Sequence, residues 1–152
     1  MPAFPASTTV LDSILFRDAF GTAAIREVFS DAALVARYVE VEVALAKAEA
    51  RCGVIPAEAA AEIAKRTDAS ALDFDLLRQE TDAVGSPILP LVHQMVKQCG
   101  EAGRYVHWGA TTQDIMDTAV VLQIRAGLDI IEADIAELRG ILANLSKRHR
   151  DT

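Results

Sequence analysis

The chain has 152 residues, a length that suits one domain with a substantial hydrophobic core. Hydrophobic residues make up 51% of it and aromatic residues only 5%, a composition typical of packed helices rather than sheets. The net charge of −7 argues against a nucleic-acid-binding surface, and no apolar run approaches the length of a membrane span.

The chain begins with residues 1–12, a lead rich in proline, serine and threonine that we expect to be loosely ordered. A short helical stretch is predicted over residues 19–29. Arg17 lies just before it and is interpreted, from the sequence alone, as a surface arginine paired with Asp18 or Asp31.

A longer helix follows, capped by Ser30 or Asp31, running to Cys52 and stopped by Gly53. Two apolar stripes predict that it is buried on more than one side. The stripes are Leu34, Tyr38, Val41, Leu45, Ala48 and Cys52, and Val35, Val39 and Val43. We assign three glutamates, Glu40, Glu42 and Glu49, to its solvated face.

Three shorter helices are predicted next. The first spans residues 57–66, and the second begins at a cap on Asp73 and ends near residue 81. In the third, Ser86 caps the helix and Pro87 takes the first helical position, with the end near residue 98 and a stop at Gly100. Helix capping alone explains the presence of Ser86.

The stretch from residue 104 to residue 118 organises the rest of the chain. Its first half disfavours a helix, because Tyr105, Val106 and Trp108 favour extended backbone and Gly109 breaks helices. Its second half starts a helix, because Thr111 and Asp114 have the spacing of a capping box.

The helix start also has the groups of an anion site. Free backbone N–H groups, the hydroxyls of Thr111 and Thr112 and the helix dipole all favour a negative ligand. The alternative is that Thr111 only caps the helix and Thr112 is solvated. The His-Trp-Gly before these threonines and the Gln-Asp after them favour a site.

The helix that starts here is predicted to run from Thr112 to His149 with one continuous apolar seam. Its eight residues follow spacings of three and four: Val121, Ile124, Leu128, Ile131, Ile135, Leu138, Leu142 and Leu145. Such a seam needs partner helices, from this chain or from copies of it. The seam alone is also compatible with a non-enzymatic helical oligomerisation module.

The remaining features favour a cytoplasmic protein without a metal. Cys52 and Cys99 have neither metal-ligand spacing nor the pattern of a disulfide framework. The N-terminus lacks the basic start and apolar run of a signal peptide.

Residues 106–118, Val-His-Trp-Gly-Ala-Thr-Thr-Gln-Asp-Ile-Met-Asp-Thr, resemble the first signature region of the fumarase/aspartase superfamily. Within it, they are most similar to the 3-carboxy-cis,cis-muconate cycloisomerases, with the adenylosuccinate lyases next. The adenylosuccinate lyases usually have Arg-Tyr near the start, histidine near the turn at residues 85–87 and tyrosine at Trp108. This chain departs from them at each place, having Phe16-Arg17 at the first.

The resemblance implies an all-α enzyme that is a homotetramer and needs no cofactor. Residues 1–110 would be an N-terminal helical domain ending in the substrate-binding loop, and residues 111–152 the start of a long central-bundle helix. The implied reaction is lactonisation of 3-carboxy-cis,cis-muconate, a small polycarboxylate, in aromatic-acid breakdown through protocatechuate.

The resemblance also implies roles for individual residues. His107 would be catalytic, and Asp114 and Gly109 would shape the site. The substrate-binding residues would be Thr111, Thr112, Gln113, Ser86 and Arg17.

Enzymes of the superfamily are about three times longer than this chain, and the seam is still running at Leu145. The family's later Gly-Arg-Thr motif and its Gly-Ser-Ser loop, which carries the serine used as base, do not occur in these residues. We therefore expect an N-terminal fragment that is inactive alone.

Overall fold

The computed structural model describes residues 9–11 and 13–152, so most of the predicted N-terminal lead lies outside the described residues. Six α-helices follow one another, with 3-10 helices at Ala69–Ala71 and Gly100–Tyr105 and no strand in the described residues. The α-helices are α1 (Ala23–Val28), α2 (Asp31–Arg51), α3 (Ala57–Arg66), α4 (Phe74–Val84), α5 (Ile88–Cys99) and α6 (Thr112–Arg148). The predicted all-α fold is confirmed.

Glycines end three helices, two of them at the predicted positions. Gly53 has a φ of 72° after α2, where the N–H of Val54 donates to the carbonyl of Glu49, as in a Schellman motif. Gly100 has a φ of 58° after α5, as expected. The third is Gly85, which ends α4 with a φ of 75°, so this helix extends three residues beyond the predicted end.

Local capping chemistry explains two other helix starts. The carboxylate of Asp73 accepts the N–H of Leu76 at 3.0 Å, which confirms the predicted cap of α4. Helix α5 begins one residue later than predicted, at Ile88, and the hydroxyl of Ser86 accepts the N–H of Ile88 at 3.4 Å. Because Pro87 has no N–H, Ile88 carries the first donor that a cap can satisfy.

The segment before α6 differs from the sequence prediction. Tyr105 ends a 3-10 helix and Trp108 lies in a turn, while Val106 adopts extended backbone. Close packing on α5 explains the difference. A β-carbon on Gly103 would lie 2.6 Å from the carbonyl oxygen of Val96, so only glycine lets the 3-10 helix approach α5 so closely.

The described residues form two compact units. The larger, residues 31–123, contains α2 to α5 and the first turns of α6 around one core. Its most deeply buried apolar side chains are Ile63, Ile88, Leu91, Met95 and Ile115.

Two glutamines of α5 tie the connecting segment before α4 to this core. Gln94 accepts the N–H of Asp73 at 2.8 Å and donates to the Asp73 carbonyl at 3.0 Å. Gln98, one turn on, makes the same pair with Asp68 at 2.9 and 3.1 Å. Each side chain therefore replaces the backbone partners that the segment lacks outside a helix.

The other unit contains residues up to Ser30 and residues 124–152. Its α1 is shorter than predicted and begins after Thr22, whose hydroxyl accepts the N–H of Ile25 at 3.3 Å. A β-carbon on Gly127 of α6 would lie 3.0 Å from the ring of Phe29, so this glycine packs against an aromatic side chain.

Helix α6 has 37 residues, which gives it a length of about 55 Å at 1.5 Å per residue. The side chains of its eight predicted seam residues are all between 42% and 62% exposed. In the described part of the chain, no helix has the length and apolar content needed to cross a membrane.

Candidate functional site

The start of α6 presents two free hydroxyls. The carboxylate of Asp114 accepts the backbone N–H of Thr111 at 3.0 Å, which is one half of the predicted capping box. The other half is missing, because the hydroxyl of Thr111 makes no hydrogen bond within the described residues, and neither does that of Thr112. Asp114 thus holds the turn, and both hydroxyls stay available to a ligand at the positive end of the helix dipole.

Gln113 lies on the first turn of α6 and is partly engaged. Its amide nitrogen donates to the carboxylate of Asp117 at 2.6 Å. An amide nitrogen has two protons, so one donor remains for a ligand.

The loop before α6 has an unusual backbone. Gly109 has a φ of 71°, and His107 has a φ of 59°, the only positive φ of a non-glycine residue in the described part of the chain. The left-handed region costs a residue with a β-carbon roughly 1–2 kcal/mol. Contacts of the His107 side chain therefore have to offset this cost.

The main contact of His107 is with Glu42 on α2. Its Nδ1 lies 2.6 Å from a carboxylate oxygen of Glu42, whose side chain is fully buried. This corrects the assignment of Glu42 to the solvated face. Tyr38 and Ala46, one turn to either side, are also buried, and their spacing of four was the sequence signal that places Glu42 inside.

Glu49, two turns after Glu42, lies at the same cluster. One oxygen of each carboxylate is buried without a hydrogen-bond partner. Burial raises the pKa of Glu42, and the charge of His107 opposes this rise while that of Glu49 adds to it. Burial likewise raises the pKa of Glu49, with His107 again opposing. The prediction that Glu49 lies on the solvated face is therefore wrong for its buried oxygen.

Aromatic and cationic side chains lie beside the loop. Trp108 is 49% exposed and its ring centroid is 6.1 Å from that of Tyr105. The guanidinium of Arg104 stacks over the Tyr105 ring at 4.9 Å. A mostly apolar cavity of about 610 Å³ lies next to Trp108, between α2 and the start of α6.

Two of the predicted site residues, Ser86 and Arg17, make other contacts in the structure. The hydroxyl of Ser86 bonds locally at the start of α5 and makes no hydrogen bond to the loop among the described residues. Arg17 belongs to the smaller unit, where its guanidinium lies 3.9 Å from the carboxylate of Asp18. This fits the surface ion pair that the sequence suggested for it.

Comparisons with known proteins show which family the chain resembles. A family model described as a lyase matches residues 18–152. The chain is 41% identical to N-acetyl-S-(2-succino)cysteine lyase from Dickeya dadantii, over 94% of this chain and 32% of the relative. It is 46% identical to 3-carboxy-cis,cis-muconate cycloisomerase from Acinetobacter baylyi, over 82% of this chain and 29% of that enzyme.

Among solved structures, the chain is similar to a fumarate lyase from Mesorhizobium sp. BNC1, with a TM-score of 0.78 and 53% identity. That similarity covers 84% of this chain and 30% of the other. The chain thus spans about a third of the length of the relatives that it matches. Because the family model matches nearly the whole sequence, this chain belongs to the lyase family of the fumarase/aspartase superfamily.

Proposed function

We propose that the protein containing this chain converts 3-carboxy-cis,cis-muconate to a carboxymuconolactone, and that residues 107–114 bind a carboxylate of the substrate. The observation that carries the proposal is the pair of unpartnered hydroxyls, on Thr111 and Thr112, at the start of α6. The 46% identity to a cycloisomerase supports the choice of reaction.

The chemistry needs the groups that this loop offers. In lactonisation, one carboxylate oxygen bonds to an alkene carbon, and the displaced electron pair passes toward a neighbouring carboxylate before the adjacent carbon takes up a proton. Donors held at that carboxylate stabilise the transition state more than the substrate. Thr111 and Thr112 supply hydroxyl donors, and His107 supplies a ring N–H.

The same groups suit a second reaction class. N-acetyl-S-(2-succino)cysteine lyase, by its name, acts on a succinylated thiol, and the chain is 41% identical to it. Lactonisation run in reverse is a β-elimination, in which a group leaves and negative charge passes through a neighbouring carboxylate. An elimination from a succinylated thiol therefore uses the same hydrogen-bond donors. Adenylosuccinate lyase chemistry is a third candidate of this kind, disfavoured by Trp108 and by residues 85–87.

Assembly is part of the proposal. The eight exposed seam residues of α6 would be covered by the same helix of other copies, in a homotetramer. A helical oligomerisation module without enzymatic activity has the same seam but gives no role to the free hydroxyls of Thr111 and Thr112.

The test is a Thr111→Ala, Thr112→Ala double variant of the protein encoded by the complete gene. It is assayed with 3-carboxy-cis,cis-muconate, N-acetyl-S-(2-succino)cysteine and adenylosuccinate beside the wild type. We expect turnover of the first by the wild type, and a loss of at least about 100-fold in the variant without a change in oligomeric mass. Thr81→Ala, which removes a hydroxyl from α4, is the control.

Other outcomes assign the protein differently. Turnover of another substrate in the panel replaces the cycloisomerase by that reaction. Wild-type activity of the double variant removes the loop from the site. If the wild-type protein forms the oligomer but turns over none of the three substrates, the non-enzymatic oligomerisation module becomes the favoured function.

A further inference from the structure

A fully buried carboxylate that meets one histidine is the least expected feature of this core. Glu42 has no exposed side-chain surface, and one of its oxygens lies 2.6 Å from Nδ1 of His107. Its other oxygen is buried and has no hydrogen-bond partner. Among the hydrogen bonds of the described residues, the contact with His107 is the one that satisfies this side chain.

A buried carboxylate with a single hydrogen bond lowers the stability of the fold. An ionised carboxylate loses its water on burial, and a single hydrogen bond does not replace it. Glu49 approaches the same cluster with a second carboxylate, which makes ionisation of Glu42 harder still. A neutral side chain of the same size would pack at this position with less cost.

The contact with the Glu42 carboxylate decides which ring nitrogen of His107 carries the proton. A carboxylate only accepts hydrogen bonds, so Glu42 in its ionised form requires the proton of His107 to lie on Nδ1. Nε2 makes no hydrogen bond within the described residues, and it is not among the enclosed unpartnered atoms. One ring nitrogen is therefore held and the other remains accessible.

The backbone of His107 adds to this constraint. It is left-handed, with a φ of 59°, at the point where the chain enters the loop that leads to Thr111. The contact with Glu42 joins residues 65 positions apart in the sequence, so α2 fixes the loop through this ring.

We propose that Glu42 is a positioning residue for His107: it fixes the ring through Nδ1 and stabilises the positively charged imidazole that donates from Nε2 to a substrate carboxylate. The inference rests on the proposed function, in which residues 107–114 bind that carboxylate. Glu42 acts through His107 and does not touch the substrate. Glu49, the other titratable group facing this pair, sets how readily Glu42 ionises.

A double-mutant cycle in the protein encoded by the complete gene tests this role. Glu42→Gln keeps the size of the side chain and removes its charge. We expect kcat/KM to fall by about 10- to 100-fold, mostly in kcat, which is the range seen when a metal-binding histidine loses its carboxylate partner. In a His107→Gln background the same change should have no further effect, because both residues act as one unit. Glu40→Gln, an exposed carboxylate on the same helix, is the matched control.

A second measurement needs no substrate. In protein labelled with 15N at histidine, the Nδ1 proton of His107 should give a far-downfield resonance that moves upfield or disappears in Glu42→Gln. His93 and His149, which are exposed, are internal references.

The outcomes separate the two proposals. Full activity of Glu42→Gln, additive losses in the double variant, or an unchanged His107 resonance would each overturn the positioning role and leave the threonine site standing. Full activity of His107→Gln would overturn the positioning role and the catalytic role of His107 together. If activity survives the loss of both threonine hydroxyls but not the loss of the Glu42 carboxylate, the substrate does not bind at the start of α6.

Discussion

At the scale of single residues, two unfavourable features coincide in one contact. His107 has a strained backbone, and Glu42 has a carboxylate that is fully buried. Either feature alone lowers stability by an amount that matters in a domain held together by about 5–15 kcal/mol. Their joint presence at the entrance to the loop supports a functional origin, because strain of this kind persists where the surrounding structure is built around a site.

The buried carboxylate predicts a pH dependence of stability. Burial raises the pKa of Glu42 above its ordinary value of 4.5, so the folded state binds this proton more tightly than the unfolded state does. Its contribution to stability is complete below pH 4.5 and is lost as the pH rises through the folded-state pKa. Glu42→Gln should therefore gain in stability relative to the wild type as the pH rises from 4.5 to 8.

Thermal unfolding across that range measures the effect. We expect the Tm of Glu42→Gln to exceed that of the wild type by a few degrees at pH 8, which corresponds to roughly 1 kcal/mol in a domain of this size. The difference should shrink toward pH 4.5. Glu40→Gln removes an exposed carboxylate that pairs with Arg37, and it should show no such trend. A constant difference between Glu42→Gln and wild type at all pH values would contradict the buried-charge explanation.

At the scale of helices, the sequence predicts the features that depend on contacts between residues close together in the chain. The glycines at positions 53 and 100 and the cap at Asp73 act within a few residues, and the structure has each where it was expected. Contacts between distant residues escaped prediction. Glu42 was placed on the wrong face although its spacing of four from Tyr38 and Ala46 marks the buried side, because the histidine that satisfies its carboxylate is 65 positions away. Within the site, the free hydroxyl of Thr111 depends on which half of the capping box forms, and spacing alone does not decide this.

The glutamine contacts of α5 are of the same long-range kind and give an element-scale prediction. Gln94 is buried and satisfies both backbone groups of Asp73, at the point where α4 begins. Gln94→Ala leaves a donor and an acceptor without partners in a partly buried setting, so we expect a loss of about 2–3 kcal/mol of unfolding free energy in denaturant melts. Gln98→Ala should cost less, about 1 kcal/mol, because water reaches the groups of Asp68.

A charge variant separates hydrogen bonding from packing at this position. Gln94→Glu keeps the volume and accepts the N–H of Asp73 but has no proton for its carbonyl when ionised. It should be nearly as destabilising as Gln94→Ala. Equal stability of Gln94→Glu and wild type would mean that shape alone holds the segment.

At the scale of the whole molecule, the dominant feature is the bare seam of α6. Eight apolar side chains on one stripe of a single helix are exposed together, and monomeric proteins rarely leave so continuous an apolar surface uncovered. The spacing of three and four is that of helices packed side by side. The same helix in other copies of the chain has this spacing and would cover the seam. We therefore propose that the seam is the assembly contact.

Charges on the seam should therefore break the assembly without unfolding the larger unit. Leu128→Glu with Ile135→Glu puts two carboxylates on the seam, where each would be buried without a partner in the oligomer. We expect light scattering after size-exclusion chromatography to show a smaller species than the wild-type protein. Ala133→Glu with Gly140→Glu, at two exposed positions on the opposite side of α6, adds the same two charges and should leave the mass unchanged. If the seam variant keeps the wild-type mass, another surface assembles the protein. If both variants dissociate, total charge and not the seam controls assembly, because only a contact specific to one stripe distinguishes positions 128 and 135 from positions 133 and 140.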